Sequence, residues 1–333
     1  MDRRHEPEPG AEPSYAGLVH AVTIVDGRLA WRAHKDPTPG FGELLVAVEA
    51  AGVNAADLLQ RHGRYPAPPG SPSDIPGIEL AGVVVGVGEG THRYAEGDRV
   101  FGIVGGGAQA ELCLVPESSA LPVPESLPWD EAGGFPEAFF TAHDALFAQA
   151  GLLAGERVLV SGAAGGVGTA AVQLARAAGA HVVASVRNRD LHPAVAELGA
   201  AEVVVPDDVV ERGPYDVVLE LVGAAGLASA MGALATGARI VVIGVAGEGA
   251  RLDLNLLVLM GARATLRGST LRSRSLAEKA ALARSVEERV LPLLAEGTVR
   301  VPVTDRFALR DAEAAYERFA AGGKLGKVVL VNR

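Results

Sequence analysis

Residues 157–187 restrict the possible folds more than any other stretch of the chain. A short apolar strand, Val158–Val160, runs into a glycine turn, Ala163-x-Gly165-Gly166-Val167-Gly168. An amphipathic segment follows (Ala170, Val172, Leu174, Ala175), and then a second apolar strand, Val182–Val186. This is a strand–turn–helix–strand unit. Its turn closes tightly, its backbone N–H groups approach a pyrophosphate, and the positive end of the helix adds to the same anion site. A glycine fingerprint alone is weak in a chain this rich in Gly and Ala, but the order of both strands and the helix around it points to a dinucleotide site.

The end of the second strand bears on which dinucleotide binds. An NAD site wants a carboxylate there, about 20 residues past the glycines, to accept from the ribose 2′-OH. The chain reads Ser185, Val186, Arg187, Asn188 and Arg189, with no acid before Asp190. A hydroxyl and guanidinium groups bind a 2′-phosphate through charge-assisted hydrogen bonds, which a carboxylate would oppose. NADPH is therefore the expected cofactor, with Ser185, Arg187 and Arg189 as its contacts.

The rest of the chain sets bounds. At 333 residues the length favours two domains, and a hydrophobic content of 49% supplies two cores. A net charge of −10 disfavours an extended nucleic-acid surface. One cysteine, Cys113, excludes an internal disulfide framework or a multi-cysteine zinc site, and reads as a small buried hydrophobe. Residues 1–14 carry charges and prolines without an apolar core, so they read as a disordered extension rather than a secretory signal. Two uncharged stretches, Val158–Ala175 and Leu221–Ala238, are too interrupted by glycine to suit lipid. A cytoplasmic protein with no membrane or nucleic-acid partner is expected.

From Ser14 to about Pro136 short apolar or alternating runs (Ala21–Val25, Glu43–Ala50, Leu80–Val87, Arg99–Val104, Ala110–Val115) predict a β-rich, partly closed sheet. From Glu137 to about Ser273 strands and helices alternate, which predicts a doubly wound parallel sheet. A helix over 137–150 leads into it. A long amphipathic helix from Ser275 to about Ala295, strand Val299–Val303, helix Leu309–Ala321 and strand Lys327–Val331 follow, and this tail is expected to return to the first domain.

Several segments together resemble the zinc-free quinone oxidoreductase (zeta-crystallin-like) branch of the medium-chain dehydrogenase/reductases. They are Ala51-Gly-Val-Asn54-Ala-Ala-Asp57-Leu-Leu-Gln-Arg-His-Gly-Arg-Tyr65-Pro, Pro76-Gly-Ile-Glu79-Leu-Ala-Gly82, the glycine turn, Gly268-Ser-Thr-Leu-Arg-Ser-Arg274-Ser, and Gly323-Lys-Leu-Gly326-Lys-Val-Val. The Ala-Asp-Leu-Leu-Gln-Arg and Leu-Arg-Ser-Arg-Ser runs particularly resemble the quinone oxidoreductases induced by the tumour suppressor in animals, with their bacterial relatives. The resemblance covers nearly all of the chain after Ser14. It implies an α/β architecture in which a Rossmann domain (137–274) is inserted into a β-rich, GroES-like catalytic domain (15–136 and 275–333), with the active site between them.

Zinc alcohol dehydrogenases of the same superfamily place a Cys-His-Cys triad on a catalytic metal. The matching positions here read Asn54, Ile78 and Glu137, and the hydroxyl that relays the alcohol proton there is replaced by Ala56. Only a glycine-rich turn lies between Val100 and Ala110, where those enzymes carry a four-cysteine lobe. No metal is expected, and the implied reaction is hydride transfer to a quinone or another conjugated electrophile. By resemblance, Asn54 lies beside the nicotinamide and Tyr65 closes a proline-rich loop over the acceptor, so these two are the expected catalytic donors. Glu137 is either an acid in the cleft or a helix-opening carboxylate serving the macrodipole. The fold rule for strand ends adds Leu221, Val222, Gly244 and Val245 as cofactor contacts. The resemblance adds Thr141, Ser269 and Thr270, and Lys324 is a candidate for the phosphates. Alternative readings are an enone or enoyl-thioester reductase and a non-enzymatic NADPH-binding protein, structural or RNA-associated. A homodimer is expected through the last strand of the Rossmann sheet, where the apolar segment Leu254–Met260 would otherwise be exposed.

Overall fold

The computed structural model describes residues 17–245 and 249–332, so the expected extension at 1–14 lies outside the described residues. The chain opens with an antiparallel hairpin of β1 (Leu18–Val25) and β2 (Arg28–Lys35). Next come β3 (Glu43–Gly52), helix α1 (Ala55–Arg61), β4 (Glu79–Val87), β5 (Arg99–Ile103), β6 (Leu112–Pro116) and β7 (Ala120–Pro122). Helices α2 (Trp129–Gly134) and α3 (Pro136–His143) lead through a π-helical turn, Asp144–Gln149, into β8 (Arg157–Ser161).

From β8 the alternation is regular: α4 (Gly166–Ala177), β9 (His181–Ser185), α5 (His192–Glu197), β10 (Glu202–Val204), β11 (Tyr215–Glu220), α6 (Ala224–Met231), β12 (Leu234–Val242), α7 (Leu256–Ala262) and β13 (Thr265–Gly268). These six strands form one parallel sheet in the order β10-β9-β8-β11-β12-β13. The order reverses direction between β8 and β11, and that switch point is where ligands bind in doubly wound sheets.

Helices α8 (Leu276–Arg289) and α9 (Leu291–Ala295) follow, then β14 (Val303–Ala308), α10 (Ala312–Ala320) and β15 (Lys327–Val331). The expected single helix to Ala295 is two, because Pro292 has no N–H to donate to the preceding turn. The strand expected at Val299–Val303 is not one. Val299 and Val301 are buried in the core, and pairing with β15 begins only at Val303.

The tail does return to the first sheet. β15 pairs with β3 and β14 pairs with β15, completing a seven-stranded sheet with β4, β5, β6 and β7. The Rossmann domain is thus inserted into the GroES-like one. A continuous core crosses the junction: Phe101 packs on Phe135 and Phe135 stacks on Phe139, with ring centroids 4.6 and 4.5 Å apart, and the cluster runs on to Val158 and Val172. Burying aromatic and aliphatic side chains on both faces of α3 holds the two halves in one relative position. Among the described residues no helix is long and apolar enough to cross a membrane.

Candidate active site

The glycine turn sits at the carboxyl end of β8. Gly162 has φ +67°, a left-handed conformation that favours glycine. Gly168 packs against the turn so closely that a Cβ would lie 2.4 Å from the Gly162 carbonyl oxygen, whereas at Gly165 the same atom is 3.4 Å away. The first contact fixes helix to strand, and the second leaves backbone open at the start of α4. Ser185 lies opposite Ser161 in the register of β9 on β8, so Arg187 and Arg189 emerge at the same end of the sheet. Both arginines are exposed, and neither is ion-paired among the described residues.

A cleft of about 440 Å³ opens beside this turn, between the two sheets. It gathers Asn54, Tyr65, Thr141, Gly165, Gly166, Val167, Gly168, Leu221, Gly244, Val245, Ser269 and Thr270. Some expected contacts lie elsewhere. Ala163 is fully buried beneath the turn, and Gly162 lines the cleft in its place. Val222 is 37% exposed outside it. Lys324 is turned away, its ammonium 3.8 Å from the centre of the Phe319 ring. The lysine in the cleft is Lys327, read from sequence only as the first residue of a strand.

Lys327 is the centre of a buried polar network. Its stem passes Gly134 and Gly166, where a Cβ would lie 3.2 and 2.7 Å from it. Its Nζ donates to Glu79 Oε1 at 2.5 Å and to Asn54 Oδ1 at 2.7 Å. Asn54 Nδ2 in turn donates to Glu79 Oε1 at 2.8 Å, with the Gly52 carbonyl at 3.4 Å. The Asn54 amide, expected to face the acceptor, is therefore committed within the protein. Its backbone N–H is held at 2.8 Å by Asp57, which opens α1 in reverse-cap fashion. Glu79 Oε2 accepts from the Glu137 backbone N–H at 2.8 Å, tying β4 to the start of α3.

Two further acids stand in this low-dielectric region. Burial pushes the Asp57 carboxyl up to about 7 against backbone hydrogen bonds from Asn54 and Gly77. Burial, and next the Glu79 charge, push Glu137 up to about 8, and its Oε1 accepts from Thr141 at 3.3 Å. Tyr65 is half-buried, and burial followed by the Glu137 charge raises its phenol. Among the described residues nothing hydrogen-bonds the Tyr65 hydroxyl, while its carbonyl accepts from Arg272 at 3.0 Å. On the other lip Asp144 holds Arg274 through two contacts of 2.8 and 2.6 Å, and Arg274 donates to Ser269 at 2.7 Å. This fixes the loop that carries Ser269 and Thr270.

Two family profiles match the chain: the alcohol dehydrogenase GroES-like domain over residues 40–125, and the zinc-binding dehydrogenase over residues 166–287. The quinone oxidoreductase of Rattus norvegicus is 31% identical over 308 residues, spanning 89% of this chain and 91% of its own. The chain belongs to the medium-chain dehydrogenase/reductase superfamily. Among solved structures, a probable oxidoreductase from Mycobacterium abscessus has a TM-score of 0.82 at 33% identity, covering 95% of this chain and 99% of that one. The mycobacterial Rv1454c structure, complexed with NADPH, has a TM-score of 0.83 at 26% identity, with 94% and 99% covered. This member of the superfamily is an oxidoreductase that uses a nicotinamide cofactor, and the open backbone at Gly165 and the start of α4 fits the pyrophosphate of such a cofactor.

The same residues do not fit the zinc of the superfamily's alcohol dehydrogenases. Asn54, Ile78 and Glu137 do converge on the cleft, but isoleucine has no donor atom and the Asn54 oxygen already receives Lys327. Sequence reading missed Glu79, Lys327 and Arg272 as site residues. The signal for the first was a carboxylate within the quoted Pro-Gly-Ile-Glu run. For the other two it was basic residues at element boundaries.

Proposed function

We propose that this oxidoreductase transfers hydride from NADPH to a quinone or a related conjugated electrophile without a metal. The observation that carries this reading is the cleft itself. It opens beside the glycine turn, Lys327 in its wall is neutralised by Glu79, and Ile78 and the committed Asn54 amide stand where a metal would need donors. The cofactor supplies the hydride.

The chain's own residues orient the acceptor and exclude water. Leu59, Ile78, Ile243, Leu271 and Phe319 give the cleft an apolar lining suited to a flat conjugated ring. The Tyr65 ring covers it, and the free Tyr65 hydroxyl donates to an acceptor oxygen as negative charge builds there. Asn54 positions rather than donates, because it holds Lys327 and Glu79 together at the cleft wall. Glu137, neutral below about pH 8, adds no negative charge to repel that oxygen. Ser185, Arg187 and Arg189 take the 2′-phosphate.

The test is steady-state oxidation of NADPH by 1,4-naphthoquinone and by a crotonyl thioester, each with and without a chelator. Faster quinone turnover that ignores the chelator is expected. Faster thioester turnover would establish the enoyl-thioester reading instead. NADPH binding with no turnover on either would make the chain a binding protein, and chelator sensitivity would overturn the metal-free site.

A further inference from the structure

A second cavity, of about 660 Å³, lies on the other side of Arg272 from the cofactor cleft. Its walls are the proline-rich loop 68–72, the glycine turn 105–107, β6 and the first turn of α8. Its volume is in the range of small-molecule sites.

The wall it shares with the cleft has an unusual charge balance. Arg272 and Lys279 are 5% and 7% exposed. Among the described residues no carboxylate lies within ion-pair distance of either. The Arg272 guanidinium donates only to neutral oxygens: Gly105 O at 2.8 Å, Tyr65 O at 3.0 Å and Gln60 Oε1 at 2.6 Å. Lys279 Nζ has one acceptor, the Arg272 carbonyl at 2.8 Å. An ammonium carries three donors and a guanidinium five, so among the described residues each cation keeps two N–H groups without an acceptor.

Two buried cations with no carboxylate in direct contact are costly to desolvate, and the Asp57 and Glu137 charges act on Arg272 only from beyond ion-pair distance. Burial holds Lys279 below the ordinary lysine range; the Glu137 charge opposes this, and the Arg272 charge adds to it more weakly. The remaining charges around the cavity do not resolve the imbalance. Arg274 is neutralised by Asp144, His34 contacts Thr23, and Lys35 is exposed. Of the two lining carboxylates, Glu43 caps the Gly40 N–H at 2.9 Å and Asp74 is exposed. The buried Ser119 hydroxyl, also in the wall, has no partner among the described residues. Between these polar groups the lining is apolar, with Pro72, Ile75, Val104 and Leu112.

We propose that this cavity binds a small organic anion, its carboxylate-type head held by Lys279 and Arg272 and its apolar body lying against Pro72, Ile75, Val104 and Leu112. The site is separate from the cofactor's and does not depend on the acceptor assigned above. The bound anion supplies the missing counter-charge, with short charge-assisted hydrogen bonds to both cations.

Calorimetric titration of the full chain with octanoate and with octanamide tests this, since the two differ in charge and scarcely in shape. Octanoate is expected to bind about tenfold or more tightly than the amide, as one charge-assisted hydrogen bond allows. Saturating NADPH should leave that affinity unchanged. Lys279→Met should erase the preference for the acid while NADPH affinity stays as in the parent, and Lys279→Arg should retain it, which keeps the test open if the methionine variant folds poorly. Equal binding of acid and amide would overturn the proposal, as would displacement of octanoate by NADPH. No octanoate binding at millimolar concentrations, or an undiminished preference in Lys279→Met, would do the same.

Discussion

The ammonium of Lys327 and the amide oxygen of Asn54, 273 residues apart in sequence, meet at 2.7 Å in the wall of the cofactor cleft. The contact joins the first residue of β15 to the N-cap of α1. Removing the cation would leave Glu79, which is fully buried, without a counter-charge. Lys327→Met is therefore expected to cost about 3–5 kcal/mol of stability in denaturant unfolding, and adding Glu79→Gln should restore much of it. A single variant as stable as the parent would show that the pair does not hold the junction.

Tyr65 and Asn54 differ in role but not greatly in expected effect. Tyr65→Phe removes a hydroxyl that has no partner among the described residues, and Asn54→Ala loosens Lys327 and Glu79. A hydroquinone oxygen takes its proton from water, so neither variant should be dead. Each is expected to lose ~10–100-fold in kcat/KM, about 1.4–2.7 kcal/mol of transition-state stabilisation. A collapse of ~10⁴-fold for Tyr65→Phe with NADPH binding intact would show an obligate acid, and an acceptor whose carbanion the enzyme must protonate.

On the proposed reading, cofactor preference rests on the loop after β9. NADPH is expected to bind about tenfold or more tightly than NADH, through charge-assisted contacts to the 2′-phosphate. Arg187→Ala should narrow the gap by weakening NADPH alone. Equal parental affinities in a fluorescence titration would remove the assignment.

Stability should fall as pH rises across the neutral range. Asp57 and Glu137 have native values near 7 and 8, above the 3.8 and 4.5 of the free side chains. Between the two sets of values the folded chain binds more protons than the unfolded one, so raising pH favours unfolding, and this continues until the native groups ionise. Unfolding midpoints at pH 6, 7 and 8 should decline in the parent and decline less in Glu137→Gln. The same slope in both would place the effect elsewhere.

A homodimer is the expected assembly. All four residues of the edge strand β13 are exposed, and α7 beside it presents Leu256, Leu257 and Met260 at 62%, 74% and 70% exposure. An isologous pairing of the edges covers both the open backbone and the apolar helix. Light scattering at micromolar concentration should give twice the monomer mass, and a charged residue at Leu257 should halve it.

The parallel sheet was readable in sequence because its strands are short apolar runs between helical periods, and the glycine turn marked the switch point. Tyr65, Thr141 and Ser269 could be placed in the cleft by their surrounding motifs. Strand β2 could not, since Arg28–Lys35 is mostly half-exposed and shows no clean alternation. Nor could the commitment of Asn54, because it depends on Lys327 and Glu79, and contacts across hundreds of residues leave no local period. Arg272 stood in sequence only as part of the Leu-Arg-Ser-Arg-Ser run. Its burial is matched by three carbonyl-type acceptors from the 60–65 and 105 segments, far from it in sequence.

A side-chain carbon at Gly52 would lie 2.1 Å from the Glu79 carboxylate, and one at Gly166 would meet the stem of Lys327. Positions that carry no reactive group therefore decide where the reactive ones can stand. A screen for inactivating substitutions should find alanine at these glycines as damaging as changes in the cleft, even though Gly52 does not line it. For such a chain, a map of sensitivity would trace the spacing of the backbone before it traced the chemistry.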